Sequence, residues 1–177
     1  MLAAIKEDDR TVLENVLSEY PSIARGGWGV GGWTLLNQAV DKGDVVKLKT
    51  VLSAGSNPAY CHFDIDTLTG GLSPLSRAII DNRVRMTKIL LMSGADVNLD
   101  ARNMSPLTHA CREFCHTEIF RALVVYGVSP NLGLDGSLQI HFIVREYESP
   151  VSVDELNILL RCGADENLEN GDGQTPL

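Results

Sequence analysis

His109, Cys111, Cys115 and His116 fall within eight positions, and imidazoles with thiols are the side chains that hold zinc. A structural zinc site needs four ligands at tetrahedral reach, usually with a C-x-x-C pair among them. No such pair is present, and the four residues straddle a helical pattern and the turn after it. Small cysteines filling a core explain the stretch more simply. Gly27, Gly29 and Gly32, within GGWGVGGW, satisfy G-x-G-x-x-G. That pattern cradles a phosphate only between a strand and a helix in a βαβ unit, and no β-branched strand precedes it here. The carboxylate pairs Asp8/Asp9 and Asp64/Asp66 lie in polar turns, where solvation accounts for them. There is no Ser–His–Asp set at plausible positions, no HExxH and no phosphate loop with lysine. The residues call for no catalytic group, no metal and no cofactor.

Composition narrows the class. The 177 residues are 44% hydrophobic, enough for a core, and the formal charge of −8 argues against a DNA or RNA backbone as partner. Cys61, Cys111, Cys115 and Cys162 lack the spacing of a secreted disulfide framework and read as reduced thiols of an intracellular protein. No run approaches the roughly 20 apolar residues of a membrane span. MLAAIKEDDR turns charged too early for a signal peptide. The expected location is the cytoplasm, or the nucleus as well.

The elements that position these residues are clearest in Gly71–Asn98, GLSPLSRAIIDNRVRMTKILLMSGADVN. Ser73 is a good N-cap, with Pro74 at the first helical position. Leu75, Ala78 and Ile79 follow at helical spacing, Asp81 and Asn82 break the run, and Val84 to Leu91 make a second, more apolar helix. Gly94 closes it as a C′ glycine would. So short a pair cannot bury both apolar faces alone and needs a copy on each side. The copies are present. Ala4 to Leu17, Ala39 to Leu52 and Ala78 to Leu91 share one spacing, and a glycine follows three residues after Leu52, Leu91 and Leu160. The opener recurs as GWTLL, GLSPL, NMSPL and GQTPL.

This pattern resembles the ankyrin repeat, G-x-T-P-L-H-x-A, a second helix ending in L-L, then G-A-D-V-N. The resemblance covers nearly the whole chain. It implies an all-α solenoid of stacked antiparallel helix pairs with β-hairpin fingers. The expected units are 1–31, 32–70, 71–102, 103–134 and 135–169, with a further one beginning at 170–177. The first is a shortened cap whose charged residues suit a wet end face. GGWGVGGW becomes the first finger, with Trp28 and Trp33 as rings that need covering. The second finger, 59–70, is enlarged and holds Tyr60 and Phe63. It either binds a partner or folds back on its own aromatics. The fourth unit is one residue longer than its neighbours, so a longer turn is expected near Cys115. The fifth is the most divergent: Ser137 is expected to cap, Leu138 to replace the proline, and Phe142 to stand where the family has alanine. The stop at Leu177, one turn into a helix, suggests that the chain continues or that a partner covers this end.

The resemblance further implies a binding module for another protein, working through a concave face made by the fingers and first helices. The family's exposed positions map to Trp33, Asp41 and Lys42; Leu72, Ile80 and Asp81; Met104, Arg112 and Glu113; and Val144 and Arg145. The expected face is an apolar stripe of Trp33, Leu72, Ile80, Met104 and Val144, with charges as a rim. A slip of one residue in this mapping would make Ile80 and Val144 core. The size is similar to ankyrin-type inhibitors and subunits that bind protein kinases, so an adaptor or regulatory subunit acting on a kinase or cell-cycle regulator is one expectation, as a monomer or within a hetero-complex. The other is the substrate-recruiting segment of a larger enzyme or ubiquitin-ligase adaptor. LLMSGADVN also resembles the ankyrin asparagine-hydroxylation pattern, with Asn98 as the candidate.

Overall fold

The computed structural model describes residues 10–25, 34–59, 72–98, 104–113, 115–131, 140, 141, 144 and 153–176. The helices among them are α1 (Arg10–Glu19), α2 (Ser22–Arg25), α3 (Leu35–Lys42), α4 (Val45–Ser53), α5 (Pro74–Ile80), α6 (Val84–Met92), α7 (Pro106–Arg112), α8 (Thr117–Val125) and α9 (Val153–Arg161). The described residues include no strand, only an isolated bridge at Met104, so the expected fingers are not seen there as β-hairpins. No described helix is long and apolar enough to cross a membrane.

Local chemistry sets where each helix starts. The hydroxyls of Thr34, Ser73 and Ser105 accept from the backbone N–H groups of Asn37, Ser76 and Thr108, at 3.1, 3.0 and 3.2 Å. Each satisfies one of the donors that a helix N-terminus leaves open. Pro74 and Pro106 sit in the first turn, where a missing N–H costs nothing. Asp44 caps α4, accepting from Lys47 N–H at 2.9 Å.

The ends are equally regular. Gly94 has φ 89°, and its N–H donates to Leu91 O while that of Ala95 donates to Leu90 O. This double bond pattern needs a left-handed residue, which glycine adopts without steric cost. The same pair of bonds closes α4, α8 and α9 through Gly55, Gly127 and Gly163. The first helices α3 and α5 turn through Gly43 and Asn82, and Asp44 N–H and Arg83 N–H donate to Ala39 O and Ala78 O. Cys115 N–H donates to Ala110 O in the same way, and His116 then intervenes before α8. The extra residue expected near Cys115 is therefore His116.

Helices α3, α5 and α7 pack side by side as an inner layer, and α4, α6, α8 and α9 as an outer one, with α1 against α4. The core is a set of rows. Ala39, Ala78 and Ala110 are fully buried and let neighbouring helices approach closely. Leu36, Leu75 and Leu107 fill the next row, and Val51, Leu90, Leu123 and Leu159 line the outer helices. Each such side chain contributes about 1.5–3 kcal/mol through burial. In the position after each of these outer residues, Leu91 is buried too, Leu52 and Val124 are half-buried, and Leu160 is exposed. At the N-terminal end, Leu13 and Leu17 of α1 are buried, and α1 stops before Pro21, as a proline requires. The short helix α2 has no counterpart in the sequence expectations. It buries Ile23 and Ala24, and Ser56 Oγ–H donates to Ala24 O.

The fifth unit needs a correction. Ile140 is fully buried and takes the place of Leu36, Leu75 and Leu107. His141 is buried where Asn37, Ser76 and Thr108 are buried, one residue after each leucine. Val144 packs against the core in the row of Val40, Ile79 and Cys111. Ser137, Leu138 and Phe142, the residues expected to cap, to replace the proline and to stand at the alanine position, lie outside the described residues.

Candidate partner-binding face

The ends of α3, α5 and α7 carry the residues expected on the concave face. Asp41 and Lys42 are exposed, Ile80 and Asp81 half-buried, and Arg112 and Glu113 exposed. Val144, expected on this face, is half-buried and packs against the core instead. Trp28, Trp33, Tyr60, Phe63 and Arg145 lie outside the described residues.

The structure brings Asp41 and Asp81 together around two arginines that sequence reasoning did not select. Arg77 Nη2 lies 2.8 Å from Asp41 Oδ1, and its Nε lies 3.3 Å from Asp81 Oδ2. Arg83 Nε is 3.4 Å from the same Asp81 oxygen, and its Nη2 donates to Asp41 O at 2.9 Å. Each exposed ion pair is worth about 0.2–1 kcal/mol, but a shared network fixes the direction of every member. The four-residue spacing from Arg77 to Asp81 on one helix was the available signal. The link from Arg77 to Asp41 crosses between helix pairs and has no local signature.

Met104 and Leu72 precede the first helices and are half-buried. Arg112 Nη1 reaches Met104 Sδ at 3.1 Å, so the start and end of α7 contribute to one surface. The face thus has two parts: a charged cluster over α3 and α5, and a Met104–Arg112 patch over α7.

Hydrogen bonds across the seams hold successive pairs in register. Asn82 Oδ1 accepts from His116 N–H at 3.0 Å. Asn98, the modification candidate, is half-buried; its Nδ2 donates to Gly127 O at 3.3 Å and its Oδ1 accepts from Ser129 N–H at 2.8 Å. Asn131 repeats this tie to Gly163 O and Asp165 N–H, at 2.8 and 3.1 Å. His141 Nε2 lies 2.9 Å from Gln174 O, beyond a tight turn in which Asn170 N–H donates to that same carbonyl.

The thiols are the remaining groups with chemical potential. Burial pushes the Cys111 thiol far up, helped by the charge of Glu155 and then by Cys115. Burial, then Glu113 and Glu155, push Cys115 up to about 12, and its Sγ–H donates to Ile79 O at 3.1 Å. Burial thus favours the neutral thiol at both positions. Among the described residues no group of three or more His, Cys, Asp or Glu could hold a metal ion.

Comparison with known proteins agrees with the rows of the core. A model of ankyrin repeats, in three copies, matches residues 36–133. Over 149 residues the chain is 26% identical to a Dictyostelium discoideum protein described as "Probable serine/threonine-protein kinase"; the match covers 80% of this chain and 17% of that protein. The chain thus spans about a sixth of that relative's length. With the helix caps, the glycine closures and the alanine row repeating through 36–133, the chain belongs to the ankyrin-repeat family.

Proposed function

We propose that this chain is a non-catalytic docking module, an adaptor or regulatory subunit that binds a partner protein through the concave face. Ankyrin repeats are protein-interaction modules, which supports the coarse reading. The observation that carries the finer one is the contact of Arg112 with Met104. It gathers the residue preceding a first helix and the residue ending it into one surface, with a partly exposed apolar chain beside a charge. Leu72, Ile80 and the Asp41–Arg77–Asp81–Arg83 cluster extend that surface across α3 and α5. In this reading the fingers, Trp33 included, form its upper edge, the unit boundaries stand at about residues 32, 71, 103 and 135, and Asn98 is a substrate of an asparagine hydroxylase.

A second reading rests on the relative described as a kinase, of which the matched segment is a small part. Here the array is the recruiting segment of a larger enzyme, and the same face holds that enzyme's substrate or regulator. Both readings place the partner on the concave face. Site-specific photo-crosslinking tests this: a benzophenone amino acid at Leu72 or Met104 should give a discrete adduct in the native cell, and one at Asn15, exposed on α1, should not. Adducts at Asn15 alone would refute the face. Mass spectrometry of the adduct then separates a kinase partner from a recruited substrate.

A further inference from the structure

Lys49, Lys88 and Arg121 each lie three positions before Leu52, Leu91 and Val124, so they occupy one equivalent place on α4, α6 and α8. All three are exposed. The outer helices pack successively against one another, which sets neighbouring cations about 10 Å apart in a row. One helical turn along, on the same face of each helix, stand Ser53, Met92 and Val125. Met92 is 75% exposed and Val125 79%, and Tyr126 beside it is 42% exposed. Lys88 Nζ reaches Glu118 Oε2 of α8 at 2.5 Å, so side chains of adjacent rows are within contact distance of each other. At the Lys49 end the face runs into a groove of about 570 Å³ between α1 and α4, with Leu17 in its lining.

This arrangement runs against the composition. The chain carries −8, yet three successive outer helices present a cation at the same place, the middle one, Lys88, paired with Glu118. Two adjacent repeats also leave a large aliphatic side chain in water at one equivalent position. A cation row alone would be an ordinary solvated face, and a lone exposed aliphatic needs no explanation. The two rows together, one turn apart, match a polypeptide whose carboxylates and apolar side chains are spaced in the same way. A nucleic acid would set phosphates against Met92 and Val125 and meet the repulsion of the net negative charge.

We propose that the outer face of α4, α6 and α8 is a second docking surface, and that its occupant is an acidic segment of a partner protein whose apolar side chains recur about 10 Å apart, beside its carboxylates. The surface lies on the opposite side of the array from Leu72, Ile80 and Met104, so it stands or falls independently of the concave face.

The probe is a fluorescein-labelled peptide of glutamates with leucines at i, i+4 and i+7, titrated with the full chain and read by anisotropy. Saturable binding is expected, weakening as salt is raised. The triple charge reversal Lys49→Glu, Lys88→Glu and Arg121→Glu should raise Kd at least about tenfold. Met92→Ser with Val125→Ser should raise it about fivefold. Leu72→Ala with Met104→Ala should leave it unchanged. All these positions are at least partly exposed, and circular-dichroism melts confirm that each variant is folded. An absence of saturable binding overturns the proposal. So does equal affinity for a leucine-free glutamate peptide, or loss through the concave variant alone. Binding of phosphatidylserine vesicles or single-stranded DNA through these residues, with no binding of the peptide, also overturns it.

Discussion

Replacing Asn98 with alanine removes two of the side-chain bonds that tie the α5–α6 pair to the α7–α8 pair. The bond from Nδ2 to Gly127 O is long, at 3.3 Å, and that to Ser129 N–H is 2.8 Å. A net intramolecular hydrogen bond contributes about 0.5–1.5 kcal/mol, and half-burial keeps these two below the upper end. The expected loss is about 1–2 kcal/mol, or a fall in thermal midpoint of about 2–8 °C for a chain of this size. Asn131→Ala should match it, since its ties to Gly163 O and Asp165 N–H have similar lengths. The converse change is the sharper test. Ala59 occupies the same position one unit earlier: Asn57 Oδ1 accepts from Ala59 N–H at 2.9 Å, as Asp96 Oδ1 does from Asn98 N–H. Ala59→Asn should supply the missing tie to the α5–α6 pair and raise stability by up to about 1 kcal/mol after the entropy of ordering the side chain. Urea unfolding followed by circular dichroism measures all three. If Asn98→Ala and Asn131→Ala leave the midpoint unchanged, these asparagine ties contribute nothing to the seams.

Leu75→Ala should cost about 2–5 kcal/mol in the same urea assay, since the residue is fully buried between neighbouring pairs and leaves a cavity; a loss below about 1 kcal/mol would contradict the row packing. The folded state holds the Cys111 and Cys115 protons above the ordinary thiol value of 9.0. That contribution to stability is therefore fully present below pH 9 and lost as pH rises from about 9 towards 12. The urea midpoint should fall across that range and fall less in a Cys111→Ala, Cys115→Ala variant; identical slopes would place both thiols in contact with solvent. For Asn98, intact-mass analysis of protein from a cell containing an ankyrin asparagine hydroxylase should show addition of one oxygen, abolished by Asn98→Ala; its absence would remove the site.

The legible parts of this fold are those where one residue type has one physical use. Ser73-Pro74 and Ser105-Pro106 open helices, and Gly94 and Gly127 take the positive φ that closes the second helix of each pair, so the helices of these two pairs are legible from the sequence. In the fifth unit no Ser-Pro pair marks an opener, and the register is visible only in the burial of Ile140 and His141. Sequence alone carries Val144 onto the expected face, although it packs against the core. Asp41, Asp81, Met104 and Arg112 were legible as surface positions from register alone. Arg77 and Arg83 were not, because their meaning lies in contacts between units far apart in sequence, and no local pattern encodes those. The ties from Asn98 and Asn131 were hidden for the same reason.

In the proposed function the concave face, and not the fold as such, holds the partner. The most direct measurement combines a quantitative pull-down from the native cell with thermal melts of the triple variant Trp33→Ala, Leu72→Ala, Met104→Ala. Leu72 and Met104 are only half-buried, so each truncation should cost about 1 kcal/mol of stability or less. A hot-spot truncation should cost about 2 kcal/mol or more of binding. The variant should melt within a few degrees of the parent and no longer retain its partner. A variant that melts like the parent and still retains every partner would contradict the proposed function, and would move attention to the enlarged segment holding Tyr60 and Phe63.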